Sequence, residues 1–340
     1  MQRKPEALAA ARSRLANRVR FHAWLQWVAH EQWTRVRAAA RARGIRLCGD
    51  EPFIVGQDSV DAWAYPTFLR RDARLGVPPD AFSATGQDWG LPWFDFPAMQ
   101  LEDWRWLRSR AGQSATYYDL RRVDHAVGYF RQWIRDQMTP TGRFVPPDEP
   151  AQAALGDLLF QILATGAGIV AEDLGVIPPW VRQTLERQGI PGYRVLRWER
   201  DGVVFRDPSA FPAVSLTTTG THDTETLREW WETTSDAERL AVASIYPAFA
   251  ALRPPPATFT EEVHEALLAT AETAASALCV LPWQDVFALR DRINLPGTVQ
   301  EANWSYRMAH PVEELLKHAD TRAAAVQLRR LTELGGRLLA

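Results

Sequence analysis

From residue 118 onward, short apolar runs with strand character alternate with longer stretches of helical periodicity, and this alternation constrains the fold most. The strand-like runs cover 118–124, 168–172, 193–199, 213–219 and 277–283. Helical patterns occupy 152–165, 178–189, 224–232, 235–250 and 259–276, followed by 311–318 and 321–339. Strands and helices in strict turn predict an α/β architecture built on a parallel sheet. Ile45–Cys48 adds one earlier strand, preceded by a helix over 6–43 in which Phe21, Trp24, Leu25, Trp27 and Val28 recur at helical spacing. Gly44 closes that helix as a glycine just past its end. The six strands centre near 47, 121, 170, 196, 216 and 280, whereas a closed (β/α)8 barrel needs eight. The expectation is therefore a TIM-type barrel that is incomplete, with the shortfall at its N-terminal side.

Three of these runs end in acidic motifs: Arg122-Val-Asp124-His125, Ala171-Glu172-Asp173-Leu-Gly175 and Thr221-His222-Asp223. In a (β/α) barrel the loops that follow the strands converge on one face, so carboxylates there are placed for catalysis. Convergent carboxylates are what glycosidic bond chemistry requires. Asp124 lies two residues beyond Arg122, so both side chains point to one face of a strand. An arginine beside a carboxylate favours its ionised form, which suits a nucleophile, although a structural ion pair has the same signature. Glu172 ends the apolar strand Gly168–Ala171, surroundings that raise a carboxyl's pKa and suit a general acid. The plainer alternative for Glu172 is a loop carboxylate accepting backbone hydrogen bonds. Asp173 points the other way and reads as a cap or ion-pair residue. Asp223 follows the small-residue stretch Thr217–Thr221, which leaves room for a ligand; it would bind sugar hydroxyls and steady an oxocarbenium-like transition state, with His222 and His125 donating to the same sugar. A zinc or manganese site at these strand ends is the competing reading, but no His-x-His or His-Glu-x-x-His occurs among the seven histidines, so no metal and no cofactor is expected.

Composition narrows the classes. A formal net charge of -2 gives no electrostatic reason to expect nucleic acid or an anionic membrane. No apolar run approaches the ~20 residues of a membrane span, and the polar, basic N-terminus lacks the apolar core of a secretion signal, so a cytoplasmic location is expected. Cys48 and Cys279 are expected as small residues in buried strands of a reducing compartment. Fifteen tryptophans are an excess. Four of them, Trp89, Trp93, Trp104 and Trp106, fall in loop-like sequence, and two of the four are as apt to line a carbohydrate cleft as to be core. They lie within residues 51–116, a stretch rich in Pro, Gly, Asp and aromatics with no sustained period. It reads as an insertion with short elements that forms part of a binding site.

With these motifs in view, the chain resembles the 4-α-glucanotransferases of glycoside hydrolase family 77 (amylomaltases, or disproportionating enzymes) from about Phe21 to Arg307. The resemblance is carried by Gly49-Asp50-Glu-Pro52 with Asp58-Ser59-Val-Asp61-Ala-Trp63, and by Gly76-Val-Pro-Pro-Asp80-Ala-Phe82-Ser-Ala-Thr-Gly86-Gln87-Asp-Trp89-Gly90. It continues in Arg292-Ile-Asn294-Leu-Pro-Gly297-Thr298 and Asn303-Trp304. It implies that Asp124 is the nucleophile, Glu172 the acid/base and Asp223 the transition-state stabiliser. It further implies that Arg122, His125 and His222 surround the reacting sugar and that Asp50, Asp80, Gln87, Trp89 and Asn294 bind glucan, with residues 51–116 contributing to the glucan cleft. The implied activity is transfer of α-1,4-glucan segments between maltooligosaccharides, with starch- or glycogen-derived glucans as partners. The alternatives are an α-glucan hydrolase on the same barrel or an inactive, truncated glucan-binding protein. Ala81 stands where many relatives carry an aromatic residue, and Ala126-Val127 where Phe-Arg is common. Family members also carry over a hundred residues ahead of the point matching Met1, including two barrel strands. On that basis the chain is expected to be an N-terminally truncated catalytic barrel over 1–340, poorly soluble or inactive when expressed alone, because unpaired strand edges invite aggregation.

Overall fold

A computed structural model describes residues 3–79, 86–136 and 142–338. The chain divides into two compact units, Met1–Ile190 and Pro191–Ala340.

The first unit opens with two helices, Pro5–Arg14 and Ala16–Arg41. The single helix expected over 6–43 is broken at Leu15, whose φ of -104° and ψ of 18° leave the helical region. Gly44, at φ +71°, ends the longer helix in the left-handed conformation that glycine adopts without a Cβ penalty. Neither helix has a buried residue, and Phe21, Trp24 and Trp27 are more than half exposed. The second helix is held by its far end: Trp33 Nε1 donates to the Tyr117 carbonyl at 3.0 Å, and Arg37 Nη2 pairs with Asp119 at 2.9 Å.

Seven strands follow: β1 (Cys48–Glu51), β2 (Leu69–Val77), β3 (Gln87–Phe94), β4 (Leu120–Val123), β5 (Gln132–Asp136), β6 (Gly142–Val145) and β7 (Gly168–Ala171). β1, β4 and β7 form the parallel sheet, with Asp50 opposite Arg122 and Arg122 opposite Val170. β2, β3, β5 and β6 form a separate antiparallel sheet in the order β3-β2-β5-β6. The stretch 51–116 thus carries two strands and the helices Val60–Ala64, Phe96–Leu101 and Arg105–Tyr117. β5 and β6, which the sequence does not announce, complete its sheet.

Alternation along β1 and β4 separates two sets of charges. Glu51 and Arg121 are buried and paired at 2.9 Å on one face. Asp50 and Arg122 lie on the other and pair at 2.8 Å. Cys48 shares the Asp50 face and is exposed, so it is not the buried core residue expected. The core of this unit is aromatic: Phe53 packs edge-on against Tyr129 at 4.9 Å and against Phe94 at 5.4 Å. Each such ring, fully buried, contributes about 1.5–3 kcal/mol of transfer free energy. Phe53 also dictates Gly128, where a Cβ would lie 2.6 Å from the ring. Trp93, Trp104 and Trp106 belong to this core, which corrects the idea that two of the four loop tryptophans line a cleft; only Trp89 stays partly open. The helices Glu149–Leu163 and Pro179–Arg187 fall where their periodicity predicts, the first capped by Asp148 and the second with Pro179 in its first turn.

The second unit carries β8 (Gly192–Val195), β9 (Arg200–Asp201), β10 (Val204–Phe205), β11 (Ser215–Thr218) and β12 (Leu278–Cys279). β11 lies between β8 and β12 in parallel register, and β9 and β10 form a small hairpin. All six expected strands are therefore present, three in each unit, giving the α/β class predicted. Thr226, Ser235 and Thr260 cap the helices Leu227–Thr233, Asp236–Ile245 and Glu261–Glu272 through their side-chain oxygens. The helix expected over 235–250 stops at Ile245 because Pro247 cannot continue it; a 3-10 turn, Pro247–Phe249, follows. Cys279 is half-buried, and burial pushes its thiol up to about 12. No helix among the described residues is long and apolar enough to cross a membrane.

Candidate active site

In the first unit, β4 runs directly into Asp124 and His125, and β7 into Glu172 and Asp173. Arg122 Nη1 reaches Asp124 Oδ1 and Asp50 Oδ1, each at 2.8 Å, so one guanidinium holds two carboxylates on the same side of the sheet. Its side chain is 16% exposed while those of Asp124 and Asp50 are 40% and 56% exposed; the cation is sheltered and the anions face outward.

Glu172 accepts hydrogen bonds from the backbone N–H of His125 (2.9 Å) and of Leu174 (2.9 Å), one on each carboxylate oxygen. These bonds and the Arg122 charge favour its ionised form. Burial and the Asp124 charge oppose them and win, raising its pKa to about 7. The loop-carboxylate reading of Glu172 is thus right about its bonds but incomplete about its energetics. His125 donates its N–H from a left-handed backbone (φ 44°), a conformation uncommon for residues other than glycine. The 3-10 turn Ala126–Tyr129 that it starts is pinned by Gly128 against Phe53. Burial lowers the His125 pKa to about 4, with Asp124 pulling the other way, so its ring is neutral at pH 7. Asp173 is buried and pairs with Arg182 at 3.0 Å, the ion-pair role expected of it.

Trp89 meets the His125 ring edge-on at 4.9 Å, and its Nε1 donates to Gln87 Oε1 at 3.2 Å. Gln87, Trp89 and His125 line a cleft of about 210 Å³ together with Trp133 and Phe144 from β5 and β6. These last two rings were not anticipated; the Gln132-Trp133-Ile134 alternation is the signal that could have found them. Asp80 and Ala81 lie outside the described residues.

In the second unit, His222 and Asp223 follow β11. Asn294 Nδ2 donates to Asp223 Oδ1 at 2.6 Å, Arg292 Nη2 donates to the Asp223 carbonyl at 2.9 Å, and His222 Nε2 lies 3.3 Å from Asp223 Oδ2. Trp304, itself at φ 60°, sets its ring 5.1 Å from that of His222. The sequence motifs containing Arg292 and Asn303-Trp304 are therefore local partners of the His-Asp pair. The small-residue run before it is not an open approach: Thr217, Thr218, Thr219 and Gly220 are buried, and Thr219 donates to Asp285 at 2.5 Å. Threonine hydroxyls there satisfy a polar core instead of leaving space. Among the described residues, the grouping of three side chains close enough to share a metal ion is His310, Glu314 and His318, not a strand-end set.

Comparison with known proteins places this arrangement. The family profile of 4-alpha-glucanotransferases matches residues 1–313. The 4-alpha-glucanotransferase of Chlamydia trachomatis serovar D is 32% identical over 319 residues, covering 89% of this chain and 59% of that protein. The enzyme of the same name from Thermus thermophilus is 35% identical over 351 residues, covering 97% of this chain and 67% of that protein. Among solved structures, amylomaltase from Streptococcus agalactiae in complex with acarbose superposes with a TM-score of 0.83 at 26% identity, covering 99% of this chain and 66% of that one. The chain spans about three fifths of the length of the first curated relatives it matches. Matched over nearly its whole length by profile, sequence and fold, the chain belongs to the 4-alpha-glucanotransferases, glycoside hydrolase family 77.

Proposed function

We propose that the chain acts as a 4-α-glucanotransferase, moving α-1,4-glucan segments between maltooligosaccharides by double displacement with retention. The observation that carries this reading is the pairing of an arginine-held carboxylate, Asp124, with a carboxyl raised to about 7, Glu172, at the ends of the adjacent strands β4 and β7. A carboxyl poised near pH 7 serves first as acid and then as base. Protonated Glu172 gives its proton to the glycosidic oxygen as Asp124 attacks the anomeric carbon, forming a β-glucosyl ester on Asp124 and releasing the reducing-end fragment. Glu172, now ionised and held by the His125 and Leu174 amides, takes the proton of an acceptor's 4-hydroxyl as that oxygen displaces Asp124. Asp223 takes the stabilising role.

Asp50, Asp80, Gln87, Trp89, Arg122, His125, His222 and Asn294 take glucan-binding roles, and residues 51–116 contribute to the cleft as a subdomain of a catalytic barrel. Neutral His125 keeps one ring N–H to donate to a sugar hydroxyl. Apolar faces such as Trp89 hold an acceptor sugar where water would otherwise attack. A cytoplasmic location, where starch- and glycogen-derived maltooligosaccharides would be met, belongs to this reading.

Incubation with maltotriose tests the reading. A ladder of longer maltooligosaccharides supports transfer; glucose and maltose alone mean hydrolysis. No product, with retained acarbose binding, leaves a glucan-binding protein.

A further inference from the structure

We propose that His310, Glu314 and His318 form a surface site for a divalent transition-metal ion of the zinc(II) class, separate from the glucan chemistry. The three residues are spaced by four positions each. Pro311 starts the short helix Val312–Leu315, which carries Glu314, and His318 precedes the 16-residue helix Ala319–Leu334. This turn brings one ligand atom of each residue within 4.8 Å of the other two. The two imidazoles stack, with centroids 3.6 Å apart and planes 19° apart, so the rings are adjacent and a χ rotation of the exposed His310 turns its in-plane lone pair toward the His318 nitrogen.

Zinc bonds to imidazole nitrogen and carboxylate oxygen are about 2.0–2.2 Å long, which in a tetrahedral site sets ligand atoms roughly 3.3–3.6 Å apart. From separations of up to 4.8 Å the ligand atoms must close by about an ångström. Side-chain rotations at the exposed His310 and Glu314 accomplish that. The backbone bracket is already fixed: Arg322 Nη1 donates to the carbonyls of Leu316 (3.0 Å) and Lys317 (2.6 Å), and the His318 N–H donates to Leu315 at 3.1 Å. Among the described residues, none of the three ligand side chains makes a hydrogen bond or ion pair, so their lone pairs are available.

Two imidazoles and one carboxylate select zinc, copper, nickel or cobalt over magnesium and calcium, which prefer all-oxygen shells. Three protein ligands leave a fourth position for water. Bridging His310 to His318 would clip the turn to the start of the last helix, which is anchored near its other end by the buried Leu331.

The test is titration of the chelator-treated chain with zinc chloride, read by calorimetry and by competition with a chromophoric chelator. One zinc per chain is expected, with no uptake of magnesium or calcium at the same concentrations. His318→Ala should abolish the stoichiometric site. Glu314→Gln, at an exposed position that leaves the fold intact, should weaken binding about tenfold or more. Bound cobalt(II) should show the visible absorption of a nitrogen–oxygen site. Wild-type chain that takes up no zinc, or a His310→Ala/His318→Ala variant that binds as tightly as wild type, would overturn the proposal.

Discussion

Glu172 and Asp285 are both carboxyls whose pKa is raised chiefly by burial, yet one sits in a reactive setting and the other in a closed one. Asp285, 2% exposed, receives the Thr219 hydroxyl at 2.5 Å and the Leu227 N–H at 2.7 Å, lies in the field of Arg197, and its own carbonyl is 2.7 Å from His264 Nε2. Every group around it is spent on the protein. Glu172 is half-buried, holds one backbone bond per oxygen, and has both an arginine and an aspartate in its field. A raised pKa alone therefore does not mark a catalytic group. Both accept one hydrogen bond per oxygen; solvent access and a neighbouring carboxylate, Asp124, distinguish Glu172.

Replacing each carboxyl with a neutral side chain should separate the roles. Glu172→Gln is expected to lower disproportionation of maltotriose by about 10²–10⁴-fold, since the acid and base steps lose their proton carrier. Gln keeps an acceptor for one of the two backbone N–H groups, so the stability cost should be only about 1 kcal/mol. Asp285→Ala should do the reverse: it strands the buried Thr219 hydroxyl and the Leu227 amide, destabilising the chain by about 2–5 kcal/mol in urea unfolding. If Asp285→Ala unfolds like the parent but loses activity, the distinction between the two settings fails.

The pH dependence sharpens the same contrast. Glu172 ionises near 4.5 when unfolded and about 7 when folded. The folded state holds the extra proton between those values, so this contribution to stability is full below pH 4.5 and is lost as pH rises through 7. After discounting for partial exposure the loss is on the order of 1–2 kcal/mol. Thermal midpoints measured from pH 5 to pH 8 should fall less steeply in Glu172→Gln than in the parent. Transfer activity in the parent should decline on the alkaline side as Glu172 loses its proton. Because the Arg122 charge lowers the Glu172 pKa, Arg122→Gln should move that decline to higher pH.

The strand-ending motifs were legible because period-2 alternation and charge position are local properties: Arg122 and Asp124 had to share a face, and they pair at 2.8 Å. The alternation of strands and helices gave all six parallel strands for the same reason. What could not be read depended on distant partners. Trp93, Trp104 and Trp106 look like loop residues in sequence because no sustained apolar period marks the strand and helix around them; Phe53, Phe94 and Phe96 make them core. The threonines before Gly220 look like an opening until Asp285, Ser276 and Arg197 are placed around them. The left-handed His125 that aims an amide at Glu172 is fixed by the ring of Phe53 against Gly128, some 70 residues apart in sequence, an order of separation no local pattern encodes.

Trp89 offers the finest probe, because it joins the two behaviours in one side chain. Its ring touches His125 and faces the cleft, while its Nε1–H is satisfied by Gln87. Trp89→Phe keeps an aromatic face and removes the hydrogen bond to Gln87, an exposed partner that water can satisfy instead. The bond orients the ring and takes no part in proton transfer, so the expected effect is a rise of about two- to tenfold in KM for maltotriose with kcat and the unfolding midpoint nearly unchanged. An equal fall in kcat would instead mean that the Gln87–Trp89 bond holds His125, and through its amide Glu172, in register for the chemical step.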